Sequence, residues 1–277
     1  MTQDEYLVKK ERLIRLIEGY TRQDTVVAFS GGVDSTLVLK MACGAAQKNG
    51  KKVYAATIHT RLHPLKEIEE TKDICREIGA QHIILKVDEL KEAGIMDNPV
   101  NRCYLCKKQI FLKIKEKASE LGAGTILEGT NEDDLHVYRP GIKALRELGI
   151  VSPLAEAGLC KKEVRTLAAE YGLKTSSKPS APCLATRFPY GTALDYEKLA
   201  RVEKGEDYLK ALGFQNVRLR IHDDTARIEV DENAFERLTE HRKEIIARLK
   251  ELGYVYITLD LEGFRSGSMD VKIHELS

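Results

Sequence analysis

Tryptophan is absent from the 277 residues, and no apolar run approaches the length a membrane span needs. Net charge is nearly absent too: 44 Lys and Arg stand against 43 Asp and Glu, leaving +1. That balance removes any global electrostatic case for a nucleic-acid partner, though not a local patch. No low-complexity segment and no internal repeat stands out. The opening Met1-Thr-Gln-Asp-Glu-Tyr6 is polar and partly acidic, unlike a secretory leader, so a cytoplasmic protein is expected. In that compartment the six cysteines are read as reduced thiols, metal ligands or reactive groups rather than disulfides. What remains is ordinary: 43% hydrophobic residues, and a length that suits one large or two modest domains.

The chain is organised around Ser30-Gly31-Gly32-Val33-Asp34-Ser35-Thr36. Thr25–Phe29 before it reads as a buried strand, and Leu37–Cys43 after it reads as helix. A strand, a glycine turn and a helix start make an anion site, because glycine lets backbone approach a phosphate and the first helical N–H groups point at it. Ser35 and Thr36 add hydroxyl donors. Asp34 is the odd member. An acid beside phosphates repels them unless a divalent cation lies between, which points to Mg²⁺ held against a pyrophosphate. The spacing fits neither the Walker A pattern nor the dinucleotide fingerprint. The string resembles the PP-loop of the ATP pyrophosphatases. That resemblance implies ATP binding, cleavage between the α and β phosphates, and adenylation of a substrate. The plainer alternative is a glycine turn capping an ordinary helix.

Residues 4–19 carry an amphipathic helix pattern, with Tyr6, Leu13 and Ile17 apolar and Gly19 at its end. Strands are expected at Val53–Ile58, His82–Val87 and Thr125–Thr130. Helices are expected at Lys66–Ile78, opened by Pro64, at Lys107–Leu121, and twice more within residues 142–172. This alternation argues for βαβ units and a parallel sheet, with ligands beyond the carboxyl ends of the strands. Thr57 to His59 and Gly129 to Asn131 share that edge with the glycine loop. Residues 174–191 hold Pro179, Pro182 and Pro189 and no apolar period, so they read as a loop and a domain boundary. The expected division is an ATP-binding domain at 1–175, a cysteine-bearing loop at 176–194 and a small α+β domain at 195–277. In the last, helices are expected at Asp195–Leu212 and Glu232–Leu252, and strands at Asn216–His222, Ala226–Val230 and Tyr254–Leu259. Val217, Leu219 and Ile221 alternate with Arg218 and Arg220 on the opposite strand face.

Cys103-Tyr-Leu-Cys106 is expected just before a helix, whose N-terminus would help stabilise thiolates. Alone it is half a zinc site, a redox dithiol, part of an iron–sulfur site, or chance. No second such pair exists, but Cys183 lies in the proline-rich loop. Three cysteines without an obvious fourth suit a [4Fe–4S] cluster with one iron open. Cys183 could equally be an unrelated loop thiol. Cys43 and Cys75 read as small packed hydrophobes, and Cys160 as a spare at a helix start. His59, His63, His82 and His136 have no ligand spacing.

The glycine loop, Pro182-Cys-Leu-Ala-Thr-Arg-Phe-Pro-Tyr-Gly191, Gly129-Thr-Asn-Glu-Asp-Asp134 with Tyr138-Arg-Pro-Gly141, and Asp260–Met269 together resemble the LarE family, across essentially the whole chain. The resemblance implies an α/β PP-loop domain plus a small α+β domain. It also implies an ATP-dependent sulfur transferase of nickel-pincer nucleotide cofactor synthesis, serving lactate racemase. Such an enzyme adenylates pyridinium-3,5-biscarboxylic acid mononucleotide and converts its carboxylates to thiocarboxylates. In members with the loop cysteine alone, that residue gives up its sulfur and becomes dehydroalanine. This chain resembles the three-cysteine members, so Cys103, Cys106 and Cys183 are expected to hold a cluster.

Further roles follow from the resemblance. Arg218 and Arg220 would bind the substrate phosphate, since arginine pairs bidentately with phosphate oxygens. Arg187 and Ser180 flank Cys183 and would contact phosphate or substrate, Glu206 and Glu229 are acidic metal candidates, and Asp133 and Asp134 would help hold Mg²⁺ or cap a helix. A homo-oligomer, a hexamer, is implied, and bound nickel is not. A tRNA thiolase is the runner-up, but it would want a basic face that +1 does not announce. An ammonia-fed synthetase leaves the cysteines unexplained, and the intact loop with Asp34 argues against a non-catalytic binding module.

Overall fold

A computed structural model describes residues 3–63, 66–137, 139–178, 182–265 and 267–269. The chain divides into two compact units. One is Met1–Gly94 with Asn101–Ala181; the other is Ile95–Val100 with Pro182–Ser277.

The first unit opens with helix α1 (Gln3–Tyr20), strand β1 (Thr25–Ala28) and helix α2 (Val33–Lys48). It continues through β2 (Val53–His59), α3 (Lys66–Ile78), β3 (Gln81–Lys86), α4 (Glu89–Glu92), α5 (Arg102–Glu120) and β4 (Thr125–Leu127), and closes with α6 (Gly141–Leu148), α7 (Pro153–Glu156) and α8 (Lys161–Glu170). Its sheet runs in the order β3-β2-β1-β4, all parallel. A single bridge from Leu127 to Val151 extends it. The run Thr25-Val-Val-Ala28 is apolar on both faces because both are covered. Val27 packs with Leu13, Leu37 and Leu167, whereas Val26 packs with Tyr54, Phe111 and Leu145. Each fully buried leucine contributes about 1.5–3 kcal/mol.

Two expectations shift here. β4 stops at Leu127 rather than Thr130, because Glu128 turns away: its carboxylate accepts from the Thr130 N–H at 2.8 Å and the Thr130 hydroxyl at 2.9 Å. Helix α5 begins at Arg102, five residues earlier than the apolar pattern indicates. The carbonyl of Asn101 accepts from both the Tyr104 and Leu105 N–H groups, so the turn closes there. Cys103 and Cys106 therefore lie inside the helix and not ahead of it.

The second unit contains α9 (Tyr196–Ala211), β5 (Val217–His222), β6 (Thr225–Val230), α10 (Phe235–Glu240), α11 (Arg242–Glu251) and β7 (Tyr256–Leu259). Its mixed sheet is ordered β5-β6-β7, with β5 and β6 antiparallel and β6 and β7 parallel. The helix expected over Glu232–Leu252 breaks at His241, where Arg242 donates to the freed Thr239 carbonyl. Ile95–Val100 is built into this unit. Asn98 is buried with φ at 47°, and its amide donates to the Phe188 and Pro189 carbonyls at 3.2 and 2.7 Å. Leu194 N–H donates to the Met96 carbonyl at 2.7 Å. No helix among the described residues is long and apolar enough to cross a membrane.

Candidate active site

The turn from β1 into α2 depends on two glycines. Gly31 has φ at +72°, and a Cβ there would lie 2.9 Å from Thr71 Cγ2. Gly129, just past β4, sits against the helix start: a Cβ would fall 2.8 Å from Ser35 N and 3.0 Å from Asp34 Cβ. Ser30 and Ser35 hydroxyls lie 3.1 Å apart, and the Thr36 hydroxyl donates to the Gly32 carbonyl at 2.7 Å. No side chain caps the start of α2, so its first amides keep their capacity for an anion. A cavity of about 380 Å³ opens there, lined by Ser30, Asp34, Ser35, Thr57, Gly129 and apolar groups including Ile58 and Phe111. Thus the loop and the ends of β2 and β4 converge, as the strand order requires.

Asp34 accepts from the Asn131 amide at 3.2 Å and is ion-paired with Lys161, a residue that no sequence pattern singles out. Asn131 Oδ1 is buried without a hydrogen-bond partner among the described residues. A carboxylate beside an orphaned amide oxygen is a donor set suited to a hard divalent cation. The amide cradle and these oxygens fit ATP with Mg²⁺. Asp133 and Asp134 hold backbone instead: Asp133 accepts from Lys161 N–H at 2.9 Å, and Asp134 from Asn131 N–H at 3.2 Å while pairing with Arg139 at 2.9 Å.

On α5, Cys103 is exposed and Cys106 half-buried. The Cys106 thiol donates to Glu89 Oε1 at 3.3 Å. Glu89 is 2% exposed and also accepts from the Thr60 hydroxyl. Burial pushes its carboxyl up to about 7, against the opposing pull of the Cys106 hydrogen bond. Glu89 lines the same cavity as Ser30 and Asp34, so the Cys106 thiol is one hydrogen bond from its wall. Nothing local in the sequence signals the burial of Glu89. Cys43 and Cys75 are packed thiols, pushed by burial to about 11 and about 12. Cys160 opens α8, where its N–H donates to Glu163 at 2.7 Å. His82 bonds Thr57 at 2.8 Å, and burial lowers its pKa.

In the second unit the arginine face of β5 is buried, not solvated: Arg218 is 9% exposed and Arg220 4%. Arg187 grips Glu206 through two bonds of 2.8 and 2.9 Å and donates to the Pro182 and Cys183 carbonyls at 2.8 and 3.2 Å. The loop around half-buried Cys183 is pinned in this way. Arg220 pairs with Glu229 at 3.0 Å and donates to the Thr186 carbonyl at 2.9 Å. Glu206 and Glu229 therefore serve arginines rather than standing open as metal ligands; Glu229 also accepts from Arg227 and Ser268. Burial raises the Glu206 carboxyl, but the Arg187 bonds and charge outweigh it and hold it below the usual range. Arg218 is different. It donates to the Val217 carbonyl at 2.8 Å and stacks 5.0 Å over Phe264, with no carboxylate partner among the described residues. Burial and the neighbouring arginines lower its pKa.

Cys103 and Cys106, three apart on one helix, offer a pair of sulfur donors. Among the described residues no three His, Cys, Asp or Glu gather as a metal group. Pro64, Tyr138, Pro179 and Ser180 lie outside the described residues.

A parallel sheet carrying a Ser-Gly-Gly-x-Asp-Ser loop over this cavity defines a PP-loop protein that uses ATP. Residues 6–135 match the PP-loop domain family. The chain is 37% identical to the pyridinium-3,5-bisthiocarboxylic acid mononucleotide synthase of Lactiplantibacillus plantarum, over 95% of this chain and 94% of that one. It is 38% identical to an uncharacterized protein of Synechocystis sp., over 88% and 91%. Similarity to the tRNA-specific 2-thiouridylase of Rickettsia bellii is 26% over 60% of this chain and 54% of that one. The chain belongs to the LarE family of ATP-dependent sulfurtransferases.

Proposed function

We propose that this enzyme adenylates a carboxylate of pyridinium-3,5-biscarboxylic acid mononucleotide and replaces one of its oxygens with sulfur, twice over, on the route to a nickel-pincer cofactor such as lactate racemase uses. The observation that carries this reading is the Cys106–Glu89 hydrogen bond, which ties a thiol to the wall of the ATP cavity. A carboxylate is a poor electrophile, so activation and sulfur must meet at one place.

The chain's own residues divide the work. The amides of Ser30–Thr36 bind phosphate, while Asp34 and Asn131 would hold Mg²⁺, which when bound neutralises charge on the departing pyrophosphate. Thr57 and Gly129 shape the nucleotide slot. Arg218, without a carboxylate, is the phosphate ligand of the mononucleotide. Arg220 and Arg187 are braced by Glu229 and Glu206 and support it. Cys103, Cys106 and Cys183 would hold a [4Fe–4S] cluster, which would offer an iron without a protein ligand as a sulfide site. Self-association into a hexamer belongs to the same reading.

Two other outcomes are distinguished by one experiment. The protein is purified without oxygen, its iron and sulfide are measured, and it is assayed with ATP, Mg²⁺, sulfide and the pyridinium nucleotide. AMP and thiocarboxylate formation with bound iron supports the reading. Turnover without iron, leaving dehydroalanine at position 183, replaces the cluster by sacrifice of Cys183. Activity on tRNA alone overturns both.

A further inference from the structure

We propose that Lys107 is a ligand of the nucleotide's phosphates, the cation that closes the cysteine side of the cavity; this rests on the ATP reading above. Lys107 follows Cys106 on α5 and lines the cavity together with Ser30 and Ser35. Its stem is held. A Cβ at Gly141 would lie 2.9 Å from Lys107 Cδ, and the ammonium sits 6.0 Å from the Phe111 ring centroid. Its head is not saturated. It is ion-paired with Glu128, but Oε2 is 3.8 Å away, beyond hydrogen-bond range, so its donors stay unengaged among the described residues. Glu128 already accepts from the Thr130 N–H, the Thr130 hydroxyl and the Ser152 hydroxyl.

Glu128 also locates the ammonium. It immediately precedes Gly129, the residue whose backbone abuts Ser35 N at the phosphate cradle. Among the described residues, three other cations around the cradle are committed by hydrogen-bonded pairs: Lys161 to Asp34, Lys178 to Glu70 at 2.7 Å, and Arg139 to Asp134. A polyphosphate bound by neutral amides attracts a further cation strongly in a half-buried site, and among these described cations Lys107 has capacity to spare. The residue after Cys106 would then hold the phosphate of the activated substrate.

The test is calorimetric titration of the full-length protein with ATP, AMP and adenosine, for the unaltered chain, Lys107→Gln and Lys107→Arg. Lys107→Gln is expected to weaken ATP about tenfold, the loss of one charge-assisted hydrogen bond, and to leave adenosine unchanged. Lys107→Arg is expected to restore most of the ATP affinity. Equal ATP affinity in all three proteins overturns the proposal. So does an equal loss for ATP and adenosine, which would mark a packing role. Circular dichroism and melting of each variant separate misfolding from lost binding, and Lys107→Met, which also removes the charge, takes the place of Lys107→Gln under the same criteria if that variant is misfolded. An unaltered chain that binds no ATP overturns the nucleotide reading itself. One that binds ATP without making thiocarboxylate overturns only the sulfur-transfer reading.

Discussion

Arg187 and Glu206 form a buried pair whose removal is strongly asymmetric. Arg187→Met leaves the Glu206 carboxylate buried with the Leu219 N–H and the more distant Lys210, and is expected to destabilise the second unit by about 3–5 kcal/mol. The pH dependence should reverse as well. In the unaltered protein Glu206 is held below its usual pKa, so its contribution is present above the ordinary carboxylate range and lost as acid protonates the folded state. With the arginine gone, burial dominates and raises that pKa, so stability is lost as pH rises. Urea midpoints should therefore diverge most at about pH 8 and converge toward about pH 4. At the same scale, the proposed function gives Arg218 a different role. Arg218→Met should raise KM for the pyridinium mononucleotide by tenfold or more, at about 1.5–3 kcal/mol for a charged hydrogen bond, while ATP affinity measured by titration stays put.

At the scale of elements, the loop proposed to cradle phosphate is a contact between the exit of β4 and the start of α2. Gly129→Ala places a methyl group against backbone that cannot swing aside. It should displace the loop, abolish AMP formation and lower stability by about 1–3 kcal/mol, read by an AMP assay beside a denaturation curve. Much of this architecture was legible beforehand. Alternating strands and helices with glycines at their ends located the sheet and the loop and put Thr57 and Gly129 at the strand ends beside it, because period and turn chemistry are local. What failed was not local. The start of α5 is set by the Asn101 carbonyl at the point where the chain re-enters its unit, so apolar spacing placed it five residues late. Alternation put Arg218 and Arg220 on one face but could not say that Phe264 and the Thr186 carbonyl cover it. Glu89 and Lys161 act across long sequence gaps, through Cys106 and Asp34, and no spacing rule reaches that far.

At the scale of the whole molecule, the second unit is completed by Ile95–Val100, a stretch that interrupts the sequence of the first. Asn98→Ala removes both donors to the Phe188 and Pro189 carbonyls and puts a β-carbon residue without a polar side chain at positive φ. A loss of about 2–4 kcal/mol is expected, confined to the second unit. Hydrogen exchange should show its strands β5 and β6 opening faster, with β1 and β2 unchanged. A fragment beginning at Pro182 lacks Ile95, Met96 and Asn98 altogether and should be less stable than the same unit in the intact chain, checked by its urea midpoint.

That inserted hexapeptide also bears on how such proteins can be recombined. The backbone passes between units after residues 94, 100 and 181, so neither unit is a contiguous cassette. A chimera joined once, at 181, would seat its own Ile95–Val100 against a foreign partner surface. Exchange of the second unit between relatives therefore has to carry residues 95–100 with it, and sequence drift in that short stretch should track drift around Phe188–Leu194 rather than that of the residues flanking it.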